Sequence, residues 1–338
     1  MNVTIKDIAR LASVSYSTVS KALNNSPLVR PDTKQRIVEI AHQLAYQPNF
    51  AAQRLVSKRS KTVGIVLPSL EKIALSALVE RINHELTDRG YEVILSILGI
   101  RDALNMFQRL QVDGIVIFEE ISSEPTPREV ITTGIPFISI GSSDIWGTRY
   151  ALVDAKRKDA IGKAVRYLVG LGHRHIAYLG DARVPDSKQQ VKVTGFCEAA
   201  LACGLSPESA YVINAKGDTW LQGYVAGREL MNATHCPTAV ITGAFDLTAG
   251  FLRSVQDAGR CVPDDVSLIS YDHIPKLAEL DVPVTAVGAP IDVFAQRIAS
   301  MLLTIMNSQS PISLTELIDV EIVERSSCLP YHETPSHI

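Results

Sequence analysis

The side chains best placed for chemistry lie near the start of the chain. Thr4 to Leu23 (TIKDIARLASVSYSTVSKAL) reads as two short helices about a tight turn. Ile5, Ile8, Ala9 and Ala12 recur at helical spacing, Ser13-Val14-Ser15 interrupts, and Val19, Ala22 and Leu23 resume the pattern. The second helix is predicted to begin near Ser15, whose hydroxyl can cap the free amides of the first turn. Its early positions, Tyr16, Ser17, Thr18, Ser20 and Lys21, carry donors and acceptors instead of apolar anchors. That chemistry suits the base edges of the major groove, which present a hydrogen-bond code. The plainer alternative is a solvated helical hairpin on a larger domain.

These side chains need a platform. Thr33 to Leu44 supplies a third amphipathic helix, with Ile37, Ile40, Ala41 and Leu44 on one face and Lys34 and Arg36 near its start. Three short helices make a minimal core. Residues 1–61 carry ten Lys or Arg against three acids, a local balance of +7, and the rest of the chain then holds −10 of the total −3. A basic module on an acidic body is what phosphate binding by one end predicts, because counterion release acts locally. Pro48 then disfavours helix at Gln47. Asn49 to Val56 reads as a short helix and Ser57-Lys58-Arg59-Ser60-Lys61 as a basic linker. A helix of two turns is marginal in water and forms only with support, which makes it a candidate switch.

From Lys61 onward, short apolar runs alternate with amphipathic stretches. Strands are predicted at Thr62–Leu67, Tyr91–Ile97, Asp113–Phe118 and Ile135–Ile140, with helices near Ile73–Arg89, Ala103–Leu110 and Arg128–Thr133. The order repeats with strands at His175–Leu179, Tyr211–Ile213, Thr238–Thr242 and Val266–Ile269 and helices near Ala160–Leu171, Gln189–Cys203, Leu221–Met231 and Leu247–Ala258. Such alternation implies parallel sheets covered on both faces, and two runs imply two doubly wound α/β subdomains. Ile135-Pro-Phe-Ile-Ser-Ile-Gly141 and Asp265-Val-Ser-Leu-Ile-Ser-Tyr-Asp272 look like copies of one unit. A last helix, Ile291–Met306, and a last strand, Leu317–Val323, would return to the first subdomain, leaving two or three crossings as a hinge. The cleft between the lobes then lies at the C-terminal ends of the strands, where such folds bind ligands.

Other chemistries are excluded by what is missing. The five cysteines, at 197, 203, 236, 261 and 328, form no C-x-x-C pair and have no histidine at ligand spacing, so a reduced state and no metal site are expected. There is no P-loop, no G-x-S-x-G and no Gly-rich phosphate loop, so no enzyme and no cofactor are expected. No run approaches the roughly 18 apolar residues of a membrane helix, and MNVTIKDIAR lacks an apolar signal, so no membrane partner and a cytoplasmic location are expected.

Residues 4–61 resemble the DNA-binding headpiece and hinge of the lactose/galactose repressor (LacI/GalR) family, on the strings T-I-K-D-I-A, V-S-Y-S-T-V-S-K-A-L-N and Y-Q-P-N-F-A-A-Q-R-L. The likeness continues to about residue 325, with R-Y-L-V-G-L-G-H-R-H-I-A-Y-L at Arg166–Leu179 as its second signature. It implies an all-α helix-turn-helix headpiece over 1–47, a hinge helix and linker over 48–61, and a periplasmic-binding-protein-like body over 62–325. The first lobe would be 62–158 with 288–318, the second 159–287 with 319–325, and 326–338 a tail without leucine heptads, hence a homodimer and no tetramer. By the same resemblance Tyr16, Ser17 and Lys21 would read bases of a double-stranded DNA operator. Thr4, Thr18, Ser20, Asn24, Thr33 and Asn49 would position phosphates, while Ala52 and Leu55 would enter the minor groove, Leu55 as a wedge. Ser13 stands where the family usually has glycine.

In the cleft, the resemblance implies effector contacts from Ser69, Gly141, Lys192, Trp220, Phe245, Asp246 and Asp272. Three of these depart from the family pattern: Lys192 replaces an arginine fork with a point charge, Phe245 replaces an asparagine, and Gly141 stands where relatives carry Asp or Arg. An effector that is partly apolar or anionic then fits better than a hydroxyl-rich sugar, with Trp220 and Phe245 stacking on it; the alternative is that both aromatics fill core. Control by a protein partner, or a solute-binding role, are the other readings of the same body. Gly172-His173-Arg174 reads as a helix stop.

Overall fold

The structure is a computed structural model that describes residues 3–23, 25–46, 59–118, 132–141, 151–181, 187–233, 236–308 and 314–332. Asn24, Asn49, Ala52 and Leu55, the hinge helix Asn49–Val56 and most of the predicted helix Arg128–Thr133 lie outside the described residues. The chain folds as two units, Met1–Ser60 and Lys61–Ile338.

In the first unit, α1 (Ile5–Leu11), α2 (Tyr16–Leu23) and α3 (Pro31–Gln43) pack around Ile8, Ala9, Ala12, Val19, Ala22, Val29, Ile37 and Ala41. Ile8, Val19 and Ile37 are fully buried, each contributing roughly 1.5–3 kcal/mol. The Asp7 carboxylate accepts from the Thr4 amide (3.0 Å) and hydroxyl (2.7 Å), which starts α1 and lowers the Asp7 pKa. Ser13 turns the chain with φ +54°, a left-handed value that serine tolerates less well than glycine. Arg36 on α3 donates to the Ala12 carbonyl at 2.6 Å, tying the third helix to the turn.

The second unit holds two six-stranded sheets. The first runs β11-β5-β4-β3-β1-β2, from β1 (Thr62–Val66), β2 (Glu92–Ser96), β3 (Gly114–Phe118), β4 (Phe137–Ile140), β5 (Ala151–Ala155) and β11 (Leu314–Ile318), and all its pairings are parallel. Helices α4 (Ile73–Thr87), α5 (Ile100–Leu110) and α10 (Ile291–Asn307) cover it. The second runs β12-β10-β9-β8-β6-β7, from β6 (Ile176–Gly180), β7 (Ala210–Asn214), β8 (Ala239–Thr242), β9 (Ser267–Tyr271), β10 (Thr285–Gly288) and β12 (Glu321–Val323), and only β12 is antiparallel. Its helices are α6 (Arg157–Gly170), α7 (Ser187–Ala202), α8 (Trp220–Met231) and α9 (Phe245–Asp257). Both sheets share one strand order, with the first β-strand of each beside its second and third. The two strings read as copies fall on β4 and β9, the fourth strand of each lobe. Among the described residues no helix is long and apolar enough to cross a membrane.

Two expectations about strands need correction. The predicted strand Leu317–Val323 is two strands, Leu314–Ile318 in the first sheet and Glu321–Val323 in the second. Asp319 and Val320 carry the chain between them, with Val320 buried and Asp319 paired to Lys156 on the neighbouring crossing. Strands β5 and β10 were not anticipated: β5 hides Asp154 inside an otherwise apolar run, and β10 is four residues of mixed size ending in glycine. The segment after Arg325 is also not a free tail. Leu268 donates to the Ser327 carbonyl (2.8 Å), Leu329 to the Ser267 hydroxyl (3.1 Å) and Tyr331 to the Leu171 carbonyl (2.7 Å). His173 clasps it: Nε2 meets the Leu329 carbonyl at 3.1 Å, Nδ1 the Thr238 hydroxyl at 2.8 Å, and the ring stacks on Tyr331 at 5.5 Å. Gly172-His173-Arg174 is therefore more than a helix stop.

Candidate functional site

On the first unit, α2 begins as its sequence suggests. The Thr18 amide donates to the Ser15 hydroxyl at 3.1 Å, and the Ser17 and Thr18 hydroxyls lie 2.7 and 2.8 Å from the same oxygen. At 100° per residue, Tyr16, Ser17, Ser20 and Lys21 occupy an arc of about 140° opposite Val19 and Ala22, whereas Thr18 falls outside it. Tyr16, Ser17 and Lys21 are exposed, Tyr16 at 66%, and Ser20 is half-buried. Thr18 is half-buried and engaged by the cap, so its hydroxyl supports the helix start. Thr4 is exposed with its hydroxyl on Asp7, and Thr33 is half-buried in the first turn of α3.

In the second unit the C-terminal ends of both sheets face a cavity of about 220 Å³. The first lobe supplies an apolar wall, Leu75, Leu78, Phe118, Ile140, Ile291 and Phe294, and the second a polar one. Lys192 on α7 is 4% exposed; its Nζ donates to the Gly243 carbonyl at 2.8 Å and sits 3.9 Å above the Tyr271 ring. Asp272 follows β9 with φ +144°, and its Oδ2 accepts the Phe245 amide at 2.8 Å. Burial pushes the Asp272 carboxyl up to about 6, against the pull of Lys192 and the Phe245 amide. Burial likewise raises Asp246, which also lines the cavity.

Sequence reasoning missed the pin behind this wall. Arg157 opens α6 just after the first crossing and grips Asp154 at the end of β5 with Nε (2.9 Å) and Nη2 (2.5 Å). Its Nη1 reaches the Tyr271 hydroxyl at 3.3 Å. Burial disfavours the Arg157 charge, yet Asp154 holds the guanidinium protonated above its ordinary value. Tyr271 thus touches Lys192 on its face and Arg157 at its tip, joining the cavity to the hinge. One layer behind Gly243, the buried Tyr178 hydroxyl has no partner among the described residues. The D-A-K-R string at 154–157 was the one available signal, a carboxylate three residues before an arginine at a strand-to-helix junction.

Four of the expected effector contacts are placed otherwise. Trp220 lies outside this cavity: as the first residue of α8 it stacks on Tyr224, one turn on, at 5.3 Å and lines a separate groove. Phe245 is 6% exposed and its ring fills core; only its backbone amide serves the site. Gly141 follows β4 with φ +131° beneath the Lys188 side chain, so Lys188, not Gly141, forms that part of the wall. The Ser69 hydroxyl accepts the Glu71 amide at 3.1 Å, and Pro68 takes its place at the cavity. Lys192, Asp246 and Asp272 are brought together.

Residues 4–49 match the lacI family of bacterial regulatory proteins and residues 165–328 the periplasmic binding protein-like domain. The chain is 30% identical over 302 residues to Catabolite control protein A of Priestia megaterium, covering 86% of this chain and 90% of the relative. It is 29% identical to the HTH-type transcriptional regulator AglR of Rhizobium meliloti, covering 98% and 95%. The lac repressor dimer bound to operator and the anti-inducer ONPF shares the fold, with a TM-score of 0.79 at 23% identity over 97% of this chain and 100% of that one. With a headpiece that exposes a polar helix face and a two-lobed body that encloses a cavity, the chain belongs to the lacI family, whose members are DNA-binding transcription regulators and not enzymes.

Proposed function

We propose that this protein is a cytoplasmic repressor that binds a palindromic operator as a homodimer and is controlled by a small molecule in the interlobe cavity. The observation that carries the DNA half is the exposed Tyr16, Ser17 and Lys21 on the face of α2 opposite its core contacts. Those three would read bases, while Thr4, Ser20 and Thr33, with Asn24 and Asn49, would hold phosphates, and Ala52 and Leu55 would enter the minor groove. Three base-reading side chains are few for a specific site, which supports two headpieces on two half-sites. Exposed apolar side chains support the dimer: Leu70, Ile73, Leu95 and Ile97 on the first lobe and Trp220, Leu221 and Val225 on the second are each at least 39% exposed.

The cavity supports an effector with one apolar and one polar face. Its 220 Å³ lies below the roughly 300 Å³ of drug-sized ligand sites, so the ligand is small. Lys192, Asp272 and Tyr271 would hold its polar side, and differential binding to two arrangements of the lobes would shift operator affinity. Footprinting on a selected palindrome tests the DNA half: no preference over random duplex at physiological salt refutes it. Thermal-shift screening with sugars, sugar acids, sugar phosphates and nucleosides tests the effector half. A reproducible shift lost in Lys192→Met supports it, and no shift by any compound points to a protein partner.

A further inference from the structure

Two lysines cross the cleft from opposite sides. Lys72, just before α4 in the first lobe, reaches Asp218 of the second lobe at 3.2 Å, with the two side chains 34% and 27% exposed. Lys188, on α7 of the second lobe, lays its chain against Gly141 of the first, where a Cβ would stand 2.3 Å from Lys188 Cε. A third contact lies beside the first. Asp246, in the first turn of α9, faces the backbone N–H of Ile73, the first residue of α4. That amide has no acceptor within its own helix. Lys72, Lys188, Asp218 and Asp246 all line the cavity, so these contacts close its rim rather than lie remote from it.

We propose that the Lys72–Asp218 pair, with Lys188 packed over Gly141 and Asp246 on the Ile73 amide, is a latch that holds the two lobes together before any ligand arrives. A ligand then enters when the latch opens, and its own contacts must favour one lobe arrangement beyond what the latch already supplies. The latch is polar and partly solvated, so salt weakens it. Apolar packing behind it, where Leu78 shares a core with Phe245 and Ile274 of the second lobe, favours the same closure, and the latch adds the polar contacts at the rim. That latch opening carries a signal rests on the effector reading above; the closure itself does not.

Amide exchange of the ligand-free, full-length protein tests it, read residue by residue and divided by the rate of the unstructured peptide of the same sequence. The Ile73 amide is the reporter because its acceptor lies in the other lobe, and the amides of Val63–Val66 in the buried β1 are the control. In Asp218→Asn, exchange at Ile73 rises about two- to fivefold, the range of a partly exposed ion pair, and β1 is unchanged. Lys72→Asp raises it further, and the charge swap Lys72→Asp/Asp218→Lys restores it. Unchanged exchange at Ile73 in Asp218→Asn and Lys72→Asp overturns the latch. So does an equal rise at β1, which is global loosening, or a swap that fails to restore. No operator or effector enters the measurement, so its failure leaves the proposed function standing, and the converse holds.

Discussion

Removing Asp154 isolates a buried charge at the hinge. Arg157 makes two short contacts with Asp154, at 2.9 and 2.5 Å, and one longer contact with Tyr271, at 3.3 Å. The side chains of the pair are 15% and 12% exposed, so water cannot replace the lost carboxylate. Asp154→Ala leaves the guanidinium with the Tyr271 hydroxyl as its remaining hydrogen-bond partner and Asp272 as its nearby countercharge, and is expected to destabilise the body by about 3 kcal/mol. For a unit of this size, at roughly 2.1 cal/mol/K of unfolding entropy per residue, that lowers Tm by about 5 °C or somewhat more. The double change Asp154→Leu/Arg157→Leu removes both charges and is expected to cost well under the single substitution, because apolar replacement of a buried pair is often near neutral. The assay is urea unfolding followed by tryptophan fluorescence and circular dichroism, with the change taken at constant m. A loss below about 1 kcal/mol in Asp154→Ala, the ceiling for an exposed pair, refutes the claim that Arg157 depends on this partner, as does a double variant no more stable than the single one.

Ser15→Ala removes the side-chain acceptor of the Thr18 amide, leaving it the Ser15 carbonyl, and should cost the headpiece about 1 kcal/mol, read as a lower melting temperature of a transition that operator DNA restores. Lys21→Ala should relax base preference as well as weaken binding, whereas Lys34→Ala should weaken binding evenly and reduce the salt slope by about one; the same effect from both refutes the division between base reading and phosphate holding. His173 is held below its ordinary value of 6.5, first by burial, with the Leu329 contact opposing. A depressed histidine binds more protons unfolded than folded, so its contribution is full above 6.5 and is lost as pH falls through the folded value. His173→Gln should therefore flatten the fall in body stability between pH 6.5 and the folded value, and an unchanged slope there refutes the assignment.

The headpiece was legible because its determinants are local. Ile8, Val19 and Ile37 sit at helical spacing, Ser15 caps by a contact three residues long, and the exposed arc of Tyr16, Ser17 and Lys21 follows from the period of α2. The alternation of strands and helices was readable for the same reason, since a buried parallel strand is a run of apolar residues wherever its neighbours lie. The cleft was not. A phenylalanine and a tryptophan near strand ends look alike as ring donors, and only packing sends Phe245 into core and turns Trp220 onto Tyr224. Arg157 and Tyr271 are 114 residues apart and Lys72 and Asp218 even further, and no period in a sequence links residues at such separations. The sequence by itself determined most of the elements, the charge asymmetry and the exposed polar face of α2. Only the tertiary structure decided which charges meet across the cleft, because that depends on how two separately wound sheets present their strand ends to each other.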